Sequence, residues 1–251
     1  MESFPRNSRV AVVTGAGKKR VGQVVARALA ERGYALALHY RESRRDAEAF
    51  RDECAAAGIT TELFQADLAD TSSVDRMFDQ ILDRFGRIDV LVTAAAIWIP
   101  TPLESLKADD VIRHFQVNAM GTFWCCYRAG LAMINQREGG AIITIGDWAV
   151  KRPYLNYAAY FLSKGCIPTL TRTLAVELAH RNPAVRVNCI LPGPVMMPEN
   201  LAEHERIEAI KSTLLKREGR PEHVAAAVLF LIDNDYVTGI SLPVEGGRLL
   251  S

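Results

Sequence analysis

Short apolar runs rich in β-branched residues alternate along the chain with longer amphipathic stretches. Arg9–Thr14, Ala35–Tyr40, Thr61–Gln65 and Ile88–Thr93 read as the first four strands. Each is too short and continuous for an alternating surface strand, which predicts burial on both faces. Helical periodicity lies between them, at Val21–Arg32, Arg45–Ala57 and Ser72–Phe85. The alternation continues through a long helix near His114–Asn135, a strand at Ala141–Ile145, a helix around Tyr157–His180 and a strand at Val185–Ile190. Pro221–Asp233 reads as a helix with proline at its start, where a missing amide proton does no harm. Ile240–Val244 reads as a last strand.

Strand–helix repetition of this kind predicts a parallel sheet with right-handed crossovers. No linker rich in Gly, Ser or Pro divides the chain, and no repeat is visible. The expectation is one doubly wound α/β domain over residues 1–251, with helices on both faces of the sheet. One segment breaks the pattern. Pro192 to Gly219 is long and charged and carries Met196, Met197 and Pro198. Lying beyond the carboxyl end of a strand, it reads as a substrate lid near 194–219.

Composition narrows the classes. The formal net charge of +1 argues against a nucleic-acid footprint or a polybasic membrane patch. Met1-Glu-Ser-Phe-Pro-Arg6 lacks the apolar stretch of a signal peptide, and no run approaches the roughly 20 apolar residues of a spanning helix. The five cysteines, Cys54, Cys125, Cys126, Cys166 and Cys189, are odd in number and lack metal-type spacing. They read as reduced core thiols of a cytoplasmic protein, with a redox role for the vicinal pair as the alternative. The histidines are scattered, so no metal is expected.

The chemistry begins at Thr14-Gly15-Ala16-Gly17-Lys18-Lys19-Arg20-Val21-Gly22, between the first strand and the first helix. Glycines there let the backbone approach a pyrophosphate, and the helix start supplies amide donors and positive potential. A tight turn alone does not explain three consecutive cations at a helix start. The second strand ends in Tyr40-Arg41-Glu42-Ser43, where an acidic residue would favour NAD. A cation and a hydroxyl at that place favour the 2′-phosphate of NADP, the other reading being a solvated helix start. Asp67 could accept from an adenine amino group or cap the next helix. Tyr160 and Lys164 share a helix face four residues apart, so the ammonium is expected to lower the phenol pKa.

These residues, with Asn118 in Gln-Val-Asn-Ala and Pro192-Gly193 after the sixth strand, resemble the short-chain dehydrogenase/reductase family over nearly the whole length. The resemblance implies a Rossmann-like sheet and a nicotinamide-dependent oxidoreductase. It implies that Tyr160 is the general acid/base, that Lys164 tunes it and holds the ribose, and that Asn118 keeps a relay water. It places the cofactor against Gly15, Gly17, Lys19, Arg20, Val21, Tyr40, Arg41, Ser43, Asp67, Leu68, Ala95, Lys164, Pro192, Gly193 and Val195. It also implies a homotetramer.

Three departures refine the expectation. Asp147 stands where the family has its catalytic serine, Thr93-Ala94-Ala95-Ala96 replaces an Asn-Asn-Ala-Gly-like segment, and Arg20 replaces a middle glycine in a loop one residue longer than usual. A carboxylate is a poor oxyanion donor but suits a nitrogen heterocycle, and burial could raise its pKa enough to donate a proton. Asp147, Arg20 and an aromatic at Trp98 resemble the pteridine reductases and related dihydromonapterin and dihydrofolate reductases, although Ala96 stands where that branch often has a hydroxyl. By that resemblance Trp98 stacks on the substrate and Asp147, Tyr157 and Tyr160 line its pocket. Trp98 as core filler is the competing role. The expected activity is NADPH-dependent reduction of a pteridine-type substrate. Its rivals are a carbonyl or alcohol oxidoreductase, of 3-oxoacyl or sugar type, and a non-catalytic NADP-binding sensor.

Overall fold

The computed structural model describes residues 8–197 and 201–251. The readings of the first six residues and of Pro198 lie outside the described residues. Seven strands form one all-parallel sheet in the order β3-β2-β1-β4-β5-β6-β7. They are β1 Val10–Thr14, β2 Ala35–Tyr40, β3 Thr61–Gln65, β4 Val90–Thr93, β5 Gly140–Ile145, β6 Val185–Pro192 and β7 Ser241–Val244. Strand order reverses beside β1, which pairs with both β2 and β4, and the carboxyl ends open a crevice there.

Alternation along β1 sends side chains into two cores. Val10 and Val12 join the core under α3 (Thr71–Phe85), α5 (Gly121–Ile134) and α6 (Ala158–Arg181). Ala11 and Val13 join the core under α1 (Val21–Glu31), α2 (Arg44–Ala56) and α8 (Pro221–Asp233). Leu29 of α1 and Phe78 of α3 are fully buried on opposite faces, each stabilising the fold by about 2–3 kcal/mol. With apolar neighbours on both sides, β1, β2 and β4 need no polar face.

Four expectations are corrected. β3 is an edge strand, so Gln65 is exposed rather than buried and its amide caps the Arg41 carbonyl at 2.9 Å. The fourth strand starts at Val90, because the Gln136 side chain holds both backbone groups of Ile88, at 2.9 and 2.8 Å. The long helix expected near His114–Asn135 is three pieces: α4 (Ala108–His114), a wide π turn over Phe115–Met120, and α5. Asp110 accepts from the Lys107 amide at 3.0 Å and sets the early start. The segment read as irregular contains a helix, α7 (Glu203–Lys211), with Glu203 and Glu205 in its first turn. Among the described residues no helix is long and apolar enough to cross a membrane.

Candidate active site

The loop after β1 is shaped by close approach. Gly15 has φ +70°, and a Cβ there would lie 2.7 Å from the Ala95 backbone. A Cβ on Gly17 would strike Tyr40 at 2.6 Å, and one on Gly22 would meet the Gly15 carbonyl oxygen at 2.6 Å. The amide of Ala95 donates to Thr14 Oγ1 at 3.2 Å, which ties the loop after β4 to the end of β1. Helix α1 has no acidic residue in its first turn and no side-chain cap; the Gln23 amide donates to the Arg20 carbonyl at 3.0 Å, which leaves the Val21 and Gly22 amides open to an anion. Lys18, Lys19 and Arg20 are exposed beside them, and Arg20 occupies the cap position with extended backbone (φ −139°).

His39, which sequence reading left without a role, braces this loop from below. Its Nδ1 accepts from the Gly15 amide at 3.1 Å, so Nε2 carries the proton that is donated to the Ala66 carbonyl at 3.1 Å. Burial lowers its pKa from 6.5 to about 4. A depressed histidine contributes stability that is present above the unfolded value and lost as pH falls towards the folded one. The protein is therefore expected to lose about 3 kcal/mol between pH 6.5 and pH 4 from this group. Urea midpoints across that range should fall for the native chain and fall less for His39→Gln, which keeps a donor and an acceptor. Parallel pH profiles would contradict the assignment.

Two clefts flank Arg41. One, of about 280 Å³, is lined by Arg41, Gln65, Ala66, Asp67 and Arg76 among others. The other, of about 290 Å³, is lined by Lys18, Arg41, Glu42, Ser43 and Asp46. Asp67 is not the cap of α3; Asp70 is, accepting from the Ser72 amide at 2.9 Å. Asp67 instead folds its own loop, with Oδ1 on the Ala69 amide at 2.9 Å, and faces the first cleft. Tyr40 is buried and packs under Gly17. Leu68 is buried, its carbonyl against Gly121.

Beyond the crevice the π turn presents Asn118, which is fully buried. Its Oδ1 accepts from the Ile97 amide at 2.8 Å, and its Nδ2 donates to the Ile97 carbonyl at 2.9 Å and to Ser163 Oγ at 3.0 Å. The side chain thus locks the loop after β4 onto α6. Ser163 was missed in the sequence because its partner lies 45 residues away.

Tyr160 and Lys164 lie on the same buried face of α6. The Tyr160 hydroxyl donates to Asp147 Oδ2 at 2.7 Å, and Asp147 Oδ1 accepts from the Ala149 amide at 2.8 Å. Lys164 Nζ donates to the Ile145 carbonyl at 2.8 Å. Burial pushes the Asp147 carboxyl above the ordinary carboxylate range, with Tyr160 opposing. The expected lowering of the phenol pKa is corrected. Burial first, then the charge of Asp147, hold Tyr160 well above its usual value. Lys164, itself pulled down by burial, is turned to a carbonyl instead of the phenol. The site therefore holds a neutral phenol that donates to a carboxyl group.

Aromatic rings line the approach. Trp98 stacks on Tyr157 with centroids 4.6 Å apart and planes at 18°, and its Nε1 donates to Tyr154 Oη at 3.2 Å. Trp98 is 37% exposed, so it is rim and not core filler. At the opposite side Pro192 ends β6, and the Gly193 amide donates to the Val244 carbonyl at 2.9 Å. A Cβ on Gly193 would sit 2.6 Å from Glu245 Cα, and the buried Val195 follows.

A glycine cradle, open helix amides, two clefts beside Arg41 and a buried Tyr–Asp pair share one sheet edge, an arrangement that fits a dinucleotide beside a proton donor. Comparison with known proteins agrees. A family model described as enoyl-(acyl carrier protein) reductase, of the short-chain dehydrogenase type, matches residues 15–248. The Escherichia coli K12 protein named "Uncharacterized oxidoreductase YgfF" is 33% identical over 251 residues, covering 95% of this chain and 99% of that one. The 3-oxoacyl-[acyl-carrier-protein] reductase FabG of Staphylococcus aureus is 34% identical over 252 residues, covering 97% of this chain and 99% of that one. A solved blue fluorescent protein from a metagenomic library, in complex with NADPH, superposes with a TM-score of 0.88 at 33% identity, over 96% of this chain and 98% of that one. The chain thus belongs to the short-chain dehydrogenase/reductase family and is an NAD(P)H-dependent oxidoreductase.

Proposed function

We propose that the protein uses NADPH to reduce a carbon–nitrogen double bond in a flat, pteridine-type heterocycle. The observation that carries this reading is the 2.7 Å hydrogen bond from the Tyr160 hydroxyl to Asp147. An ionised carboxylate only accepts hydrogen bonds. Beside a ketone it would face the carbonyl lone pairs and oppose charge developing on oxygen. Beside an amino-pyrimidine edge it meets N–H donors, and both partners are satisfied.

The residues present fit the cofactor. The glycine cradle and the first amides of α1 would hold the pyrophosphate. Lys18, Arg41 and Ser43 line a cleft with the charge and hydroxyl that a 2′-phosphate needs. When bound, the dinucleotide supplies the hydride. The chain supplies the proton: Tyr160 donates its O–H proton to the ring nitrogen and the phenolate is reprotonated from solvent water, while Asp147 stays an acceptor that orients the phenol and the substrate edge. Asn118 fixes the loop that carries Trp98, and the rings of Trp98 and Tyr157 give a planar substrate an apolar wall.

The carbonyl-reductase reading is favoured by the activity named for the Staphylococcus relative. The Asp147→Ser variant separates the two. Serine donates to an oxyanion and cannot hold an N–H edge by charge, so kcat/KM for a dihydropterin should fall at least ~10-fold, the scale of a lost charged hydrogen bond, while ketone reduction rises. Ketone reduction that is fast in the native protein and falls in Asp147→Ser would overturn the proposal.

A further inference from the structure

Arg248 follows β7 in a turn made by Gly246 and Gly247, both at positive φ. The turn is anchored on the segment after α7: the Leu215 amide donates to the Gly246 carbonyl at 3.1 Å, and a Cβ on Gly247 would strike Leu214 at 2.8 Å. Arg152 donates to the Arg248 carbonyl at 3.2 Å and also to that of Ser251. The backbone of Arg248 is thus fixed from two sides. Its guanidinium carbon lies over the Trp148 ring, 4.3 Å from the centroid, and Trp148 directly follows Asp147.

This guanidinium is partly buried, yet among the described residues no carboxylate lies within ion-pair distance of it. Arg186, of like burial, also lacks a carboxylate but donates to the carbonyls of Leu231, Ile232 and Val237, and Arg87 and Arg206 pair with Asp89 and Glu218, whereas no side-chain hydrogen bond of Arg248 is found among the described residues. Burial lowers the Arg248 pKa and Arg152 adds to that, while Tyr154, Asp147 and Glu208 oppose it. A cation that gives up water without a partner is costly unless a ligand provides the counter-charge. Its position, between the α7 segment and the residue after Asp147, is the mouth of the reaction site.

We propose that Arg248 is a specificity residue that pairs with a carboxylate on the substrate, so that the substrate is an acid whose reducible bond reaches Tyr160 while its anionic end stays at the mouth. The proposal rests on the Tyr160–Asp147 pair being the reacting centre. It deepens the heterocycle reading by asking for an acidic side chain on the ring.

The test uses the cofactor-saturated enzyme and paired probes differing in charge. Dihydrofolate carries carboxylates and dihydrobiopterin does not; a 3-oxo acid and its methyl ester form the matching ketone pair. For whichever pair is turned over, the acid is expected to have a KM at least ten-fold below its neutral partner. Arg248→Gln should raise the KM of the acid ten-fold or more, with kcat and the neutral partner's KM unmoved, and Arg248→Lys should recover part of the loss. A general packing role would move both partners together. Equal KM values for acid and neutral probe in the native enzyme, or an Arg248→Gln effect shared by both, would overturn the proposal. Turnover of the ketone pair alone, with the acid preferred, would sink the heterocycle reading and leave Arg248 standing.

Discussion

The Tyr160→Phe variant is expected to lose roughly a hundred- to ten-thousand-fold in kcat while binding NADPH as the native protein does. The phenol is 5% exposed, and among the described residues its hydroxyl bonds to Asp147 alone. Removing the hydroxyl takes away the proton donor and leaves the Phe ring in the same aromatic surroundings, against His114, Tyr157 and Phe161. Folding is therefore little disturbed and the loss is chemical. Steady-state rates with cofactor saturation, beside a cofactor titration, check this. Unchanged turnover would show that Tyr160 is not the proton donor.

The second large effect is structural. Gly15→Ala is expected to lower stability by about 3 kcal/mol and the melting temperature by roughly 5–10 °C, and to abolish the stabilisation that NADPH gives. Two costs combine. The residue must hold φ +70°, and its new Cβ would lie 2.7 Å from backbone atoms of Ala95, which cannot swing aside as a side-chain end can. Moving Ala95 would also break its amide bond to Thr14. Gly33→Ala is the control: φ is +79° there, but nothing lies within 4 Å of a Cβ. It should pay the left-handed backbone cost alone, about 1 kcal/mol. Equal melting shifts in the two variants would show that close approach to Ala95 is unimportant.

The sheet was legible because its interior strands are apolar on both faces, and each lies next to a helix with a clear repeat. Where long-range contacts decide, local pattern misleads. Nothing near Ile88 says that Gln136 will take its backbone groups, and nothing in Thr61–Gln65 says that this strand is the edge. The π turn at Phe115–Met120 is equally silent, since one extra residue per turn leaves the apolar composition unchanged. At the site, spacing put Tyr160 and Lys164 on one helix face, and Asn118 and Asp147 joined them only through the resemblance to the family. Their partners could not be read. Spacing put Lys164 beside Tyr160, but burial and the Ile145 carbonyl decide where its ammonium points. Arg248 and His39 had no motif; one is defined by a missing counter-charge and the other by a backbone amide across two strands.

The account stands or falls on what the Tyr160–Asp147 pair reduces. The most direct measurement is the stopped-flow decay of NADPH absorbance with the native enzyme, using dihydropterins and dihydrofolate in one series and simple ketones and 3-oxoacyl compounds in the other. The account predicts rapid, saturable oxidation with at least one member of the first series and slow reaction throughout the second. No turnover of any pterin beside fast turnover of a ketone would contradict it.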